Sequence, residues 1–161
     1  MQKILSRKEL RTALDGLRSN GKKIVFTNGC FDILHVGHVQ YLQEAKKLGD
    51  ILVLGLNSDS SVRTLKGEKR PLVPEDERAI VLAALESVDF VTIFDESTPL
   101  ELIEYLQPDF LVKGGDWAVE EIAGAEAIKK WGGRVVIAPL TEGRSTTNVV
   151  EKILQLYQGD T

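Results

Sequence analysis

Two histidines three residues apart, His35 and His38, lie in the stretch TNGCFDILHVGH (27–38), directly after the apolar run Ile24-Val25-Phe26. Imidazoles at that spacing can ligate a metal, pack as hydrogen-bonded structural residues, or grip a phosphate. If a helix opens near Val36, both rings meet its N-terminus, where unpaired backbone N–H groups and the helix dipole favour an anion. There they can donate to phosphate oxygens and to charge that develops in a transition state. Gly37 removes a side chain where a phosphate must approach, and Gly29 permits a tight exit turn. A zinc site from Cys30, Asp32, His35 and His38 lacks a second cluster and the usual ligand spacing. Two unconnected structural histidines are the bland alternative. The phosphate grip is the favoured reading. Asp32 can be a general base, a metal ligand or a helix-capping carboxylate. Phe31 reads as core, and Cys30 as a small packed residue without a base to activate it.

Other chemistry-bearing residues stand further along. RTLKGEKRP holds Arg63, Lys66, Lys69 and Arg70 within eight residues, either a solvated face or a mobile basic loop able to close over an anion. KGGDW joins Gly114 and Gly115, which permit close backbone approach to a flat ligand, to Asp116, which can accept from a base amino group or a ribose hydroxyl. The bland reading is a glycine turn with Trp117 packed beneath it. GRSTTN offers Arg144, Ser145 and Thr146 at another helix start, where capping alone would also explain the hydroxyls. Nothing matches GxxxxGK[ST], and no GxGxxG follows the first apolar run, which disfavours a kinase or a dehydrogenase. Together these groups describe a nucleotide site in which a triphosphate lies over a helix N-terminus.

The elements that must position them are legible as alternation. Strands are predicted at 23–28, 51–57, 89–94, 109–114 and 134–139. Helices are predicted at 6–19, 36–48, 75–86, 98–106, 119–131 and 145–157, with Ser58–Val73 the one long irregular piece. Nearly all-apolar strands are covered on both faces, so the fold class is α/β: a Rossmann-like, parallel five-stranded sheet with helices on both faces. Ligands in such sheets bind beyond the carboxyl ends of the strands. The opening stretch, Asn57 to Asp59, Lys113 to Trp117 and Thr141 to Thr147 all follow a strand, so they gather on one edge.

At 161 residues, 43% hydrophobic and 27% charged, the chain is expected to form one domain over 1–161. A net charge of -4 argues against nucleic acid or an anionic membrane as partner, while leaving room for a small anion. The single cysteine fits a reducing compartment. MQKILSRKELRTAL has no signal-like apolar core, and no apolar run approaches membrane-spanning length. A soluble, cytoplasmic protein is expected.

Gly29 to His38, G-C-F-D-x-L-H-x-G-H, resembles the signature of the HxGH nucleotidyltransferase superfamily. Within it, TNGCFDILHVGHVQYLQEAKKLGD, NSDSSVRTLKGEKRP, LVKGGDW, EEIAGAE and STTNVVEKI resemble, in order, the adenylyltransferase domain of bacterial ADP-heptose synthases. That resemblance implies an enzyme that joins ATP and D-glycero-β-D-manno-heptose 1-phosphate into ADP-heptose and pyrophosphate for the lipopolysaccharide inner core. Mg²⁺ would be carried with ATP, and no protein-held metal is expected. His35, His38 and Lys66 would be catalytic. Asn28, Gly29, Cys30, Phe31, Asp32, Lys113, Gly114, Gly115, Asp116, Arg144, Ser145 and Thr146 would bind the nucleotide. Asn57, Asp59, Arg63 and Lys69 would contact acceptor or phosphates. The resemblance also implies a homodimer. No kinase domain accompanies these motifs, so a separate heptose kinase is expected. Related glycerol-3-phosphate cytidylyltransferases carry Arg-Thr-x-Gly-Ile-Ser-Thr where this chain reads Leu140-Thr141-Glu142-Gly143-Arg144-Ser145-Thr146. That departure weakens, without removing, a cytidylyl alternative acting on glycerol 3-phosphate. A non-catalytic nucleotide-binding module is the alternative outside enzymes.

Overall fold

The computed structural model describes residues 2–140 and 142–159; Thr141, expected at the edge of the site, lies outside the described residues. In chain order the elements are α1 (Arg7–Ser19), β1 (Ile24–Gly29), α2 (Val36–Lys46), β2 (Ile51–Asn57), α3 (Asp59–Lys66), α4 (Glu75–Ala83), β3 (Phe90–Phe94), α5 (Leu100–Leu106), β4 (Phe110–Gly114), α6 (Ala125–Lys129), β5 (Arg134–Ala138) and α7 (Thr146–Tyr157). Local chemistry sets several boundaries. Ser6 caps α1 in a reciprocal box with Glu9, and α4 opens after Pro74 on Glu75, Asp76 and Glu77.

The five strands are all parallel, in the order β3-β2-β1-β4-β5. Alternate side chains feed two cores. On one face Phe26, Val53 and Leu111 pack with Leu10 and Leu14 of α1, Leu102 and Ile103 of α5, and Ile128 of α6. On the other, Val25, Leu52, Leu54 and Val112 pack with Leu42 of α2 and Leu82 of α4. The expected Rossmann-like architecture is present, with helices on both faces.

Strand order reverses between β1 and β4, and the two strands separate early. β1 pairs with β2 along its whole length, from Ile24↔Ile51 to Gly29↔Leu56, but with β4 only at Val25↔Phe110 and Phe26↔Leu111. Beyond Phe26 the Val112 carbonyl accepts from hydroxyls instead: Thr27 Oγ1 at 3.0 Å and Tyr41 Oη at 3.1 Å, themselves 2.6 Å apart. The crevice of a doubly wound sheet opens where this ladder stops.

Two expectations need correction. The segment 58–73 is not irregular throughout, because it contains α3. Ser58 caps that helix by accepting from Ser61 N, with Asp59 in its first turn and Arg63 and Lys66 in its last. The predicted helix at 119–131 is broken: Gly124, at φ 89°, separates a 3-10 turn (Val119–Glu121) from α6.

Candidate active site

A cavity of about 710 Å³ lies over the carboxyl ends of the strands. His35 and His38 line it from the mouth of α2. His35 is the N-cap, and its Nδ1 accepts from Gly37 N at 3.1 Å; His38 Nδ1 accepts from His35 N at 3.4 Å. A neutral imidazole that accepts at Nδ1 carries its hydrogen on Nε2. Each ring therefore caps the helix with one nitrogen and keeps a donor on the other. The structural reading is met at Nδ1 of each ring, and the Nε2 edge is left as the donor that a phosphate grip would use. Burial, with the neighbouring His35 adding to it, pushes His38 down to about 4. Burial and the charge of Arg144 lower His35 as well.

Gly37 is packed closely by protein. A Cβ there would meet Arg144 Cβ and the His35 ring at 3.0 Å, so the missing side chain makes room for protein. Gly29 is required because the Phe31 ring folds back over it, 2.8 Å from where a Cβ would stand, with Phe31 itself in the left-handed region at φ 45°.

Asp32 is buried and committed to a task not among its three expected ones. It pairs with Arg70 Nε at 2.5 Å and accepts from Leu72 N and Val73 N at 2.9 Å. Burial alone would raise its pKa; those amides and Arg70 outweigh that and lower it. It latches the chain that returns from α3. Cys30 also lines the cavity, and burial pushes its thiol up, which fits a packed residue and opposes a thiolate nucleophile.

Lys66, at the end of α3, and Lys113, at the end of β4, both face the cavity. Burial lowers the pKa of Lys113, whose Nζ stands 5.3 Å from the centre of the Trp117 ring. Trp117 is 46% exposed and lines the cavity rather than packing beneath the glycine turn. Gly114 leaves space for Leu140, whose Cδ2 a Cβ would meet at 2.6 Å; Gly115 holds φ 103° in the turn. Trp117, Leu140 and Ile122 form an apolar wall here, suited to a flat base.

A second helix N-terminus faces the same space. Ser145 caps α7 by accepting from Asn148 N, and Arg144, Ser145, Thr146 and Thr147 line the cavity. Neither α2 nor α7 has an acidic residue in its first turn, so the two positive helix ends converge unneutralised by their own side chains.

Of the residues expected from sequence, Asn28, Gly29, Cys30, Phe31, Asp32, His35, His38, Asn57, Lys66, Lys113, Gly114, Arg144, Ser145 and Thr146 line this cavity together. Gly115, Asp116, Arg63 and Lys69 do not. Asp59 also stands outside it and pairs with Arg78 at 2.7 Å. Sequence reasoning missed Tyr41, Ser97, Thr98 and Leu140, which line the cavity, and Arg78, buried beside it. None carried a local signal. Among the described residues no three His, Cys, Asp or Glu side chains gather where they could hold a metal ion.

A doubly wound sheet whose crevice holds two neutral histidines, two lysines and two helix N-termini defines a nucleotidyltransferase-type site. Residues 26–152 match the model of the cytidylyltransferase-like family, and the chain belongs to that family. It is 58% identical over 156 residues to bifunctional protein HldE of Syntrophotalea carbinolica, which covers 97% of this chain and 32% of that protein. With bifunctional protein HldE of Geobacter metallireducens it shares 61% identity over 151 residues, 89% of this chain and 31% of that one. The chain thus spans about a third of the length of the curated relatives it matches. Its fold also matches the crystal structure of the lipopolysaccharide core biosynthesis protein from Thermoplasma volcanium, at TM-score 0.62 and 33% identity, over 77% of this chain and 100% of that one.

Proposed function

We propose that this chain transfers the AMP group of ATP to D-glycero-β-D-manno-heptose 1-phosphate, giving ADP-heptose and pyrophosphate. The observation that carries the reading is the pair of neutral Nε2 donors at the mouth of α2, facing a cavity shared with Lys66, Lys113 and Arg144. The lipopolysaccharide connection comes from the relatives named HldE and from the printed name of the Thermoplasma protein.

The acceptor's phosphate oxygen is already an anion near neutral pH, so attack on the α-phosphorus needs no general base. The bond from that oxygen to phosphorus forms as the bond to the pyrophosphate oxygen breaks, and the electron pair leaves with pyrophosphate. The protein's work is to position the reactants and to stabilise charge as it builds on phosphate oxygens. The histidines donate without competing for a proton, and the two helix ends and the basic side chains hold the phosphates. Mg²⁺ enters with the triphosphate as part of the substrate; Asp32, the one carboxylate of the motif, is already filled by Arg70 and two amides. The wall of Trp117, Leu140 and Ile122 accepts the base.

We place the reaction in the cytoplasm, where ATP is made; among the described residues no helix is long and apolar enough to cross a membrane. A homodimer fits the reading. The acceptor is a product of sugar-kinase chemistry, and relatives named bifunctional have a second activity in a longer chain, an alternative to the separate kinase expected from sequence.

Pyrophosphate release with Mg²⁺ tests the proposal, with ATP against CTP, each with the heptose 1-phosphate and with glycerol 3-phosphate. Release confined to ATP and the heptose phosphate is expected. Release with CTP and glycerol phosphate moves the substrate, and silence from folded, ATP-binding protein overturns the transfer reading.

A further inference from the structure

Arg78 is 1% exposed, lies on α4 and does not line the cavity, so it cannot touch a substrate. Burying a guanidinium is costly unless every donor edge is used, and here four acceptors surround it. Nε donates to Val73 O at 2.8 Å, Nη1 to Cys30 O at 2.7 Å and to Asn57 O at 2.9 Å, and Nη2 to Asp59 Oδ1 at 2.7 Å.

What those acceptors share is their place along the chain. Cys30 opens the turn that leads to the histidines. Asn57 ends β2, Asp59 begins α3, and Val73 ends the segment that returns from it. The stretch carrying Lys66 therefore leaves and returns through one side chain, which is tied at the same time to the histidine turn. Asp32 repeats the tie from the other side of that turn through Arg70, Leu72 and Val73. Between these anchors α3 is held lightly: of its side chains only Ser61 and Val62 are buried, and Lys66 is exposed towards the cavity.

We propose that Arg78 is a positioning residue for phosphate transfer, fixing α3 against the Cys30–Asp32 turn so that Lys66 meets the same phosphates as His35 and His38. The proposal rests on the transfer reading above. Lysine keeps the charge of Arg78 but not its fork, and so cannot span four acceptors in these directions.

The test is a double-mutant cycle of Arg78→Lys and Lys66→Met on pyrophosphate release, with thermal melts of each variant. Arg78→Lys alone should lower kcat by about 100-fold, the scale of an ångström's misplacement of a reacting group. In the double variant kcat should lie within about threefold of Lys66→Met alone, because the two residues act as one unit. Losses that multiply would overturn the proposal, since a residue acting only on global stability is indifferent to the presence of Lys66. If Arg78→Lys does not fold, Asp59→Asn replaces it: this leaves the three carbonyl bonds, weakens the tie to α3, and must show the same non-additivity. A wild-type chain without turnover would refute the transfer reading instead, which separates the two failures.

Discussion

The rings of His35 and His38 stack with centroids 3.8 Å apart and planes at 25°, while each offers Nδ1 to a backbone N–H. Two imidazoles so placed resist protonation, because a charge on one lies against the face of the other. The consequence is a donor pair in which the neutral form of each ring is favoured.

His38 should titrate in the free protein near 4 rather than near the ordinary histidine value of about 6.5. Since the folded pKa lies below the unfolded one, the unfolded chain binds more protons between those values. Stability should therefore fall as pH drops from about 6.5 towards 4. Urea unfolding of wild type and His38→Asn across that window checks this. The variant, lacking the titrating ring, should show the shallower slope, and equal slopes would place the effect elsewhere.

On the proposed mechanism, replacing His38 by alanine removes a transition-state donor as well as one helix-cap acceptor. The first loss is worth about 10²–10³ in kcat, the second about 1 kcal/mol of stability. Turnover should collapse while the denaturation midpoint moves modestly. A large stability loss with proportionate activity would make the ring purely structural.

Asp32→Ala leaves Arg70 unpaired and the amides of Leu72 and Val73 without their acceptor. Breaking one side of such a buried pair should cost about 3 kcal/mol, measured by denaturant unfolding at neutral pH. The folded pKa of Asp32 lies below its unfolded value, so its contribution is present above the unfolded pKa and is lost as pH falls through the folded one. The wild-type advantage should shrink accordingly in acid.

Gly37→Ala sets a Cβ 3.0 Å from both Arg144 Cβ and the His35 ring. Alanine also gains about 1 kcal/mol of helix propensity over glycine, which offsets the crowding in stability. We expect a melting temperature close to wild type but kcat/KM lowered by about 10- to 100-fold, because the cap histidine and Arg144 must shift. Unchanged kinetics would show that neither group needs its present position.

The helix-start pattern, the apolar alternation and the His35-x-x-His38 spacing act over a few residues, and the sequence read alone was enough for the sheet, its layers and the edge where the site lies. The helix α3 was legible too, in Ser58, Asp59, Arg63 and Lys66, but the density of charge in that stretch reads equally as a loop. Asp32 was singled out and its role was not, because its partners Arg70, Leu72 and Val73 stand about forty positions away. Arg78 gave no local sign at all, since an arginine behind three acidic residues looks like a solvated helix face. The opening between β1 and β4 depends on strands more than eighty residues apart and on a ladder that ends at Phe26. Periodicity and capping are properties of neighbours in sequence, whereas the latch, the buried guanidinium and the crevice exist only once distant segments are packed together.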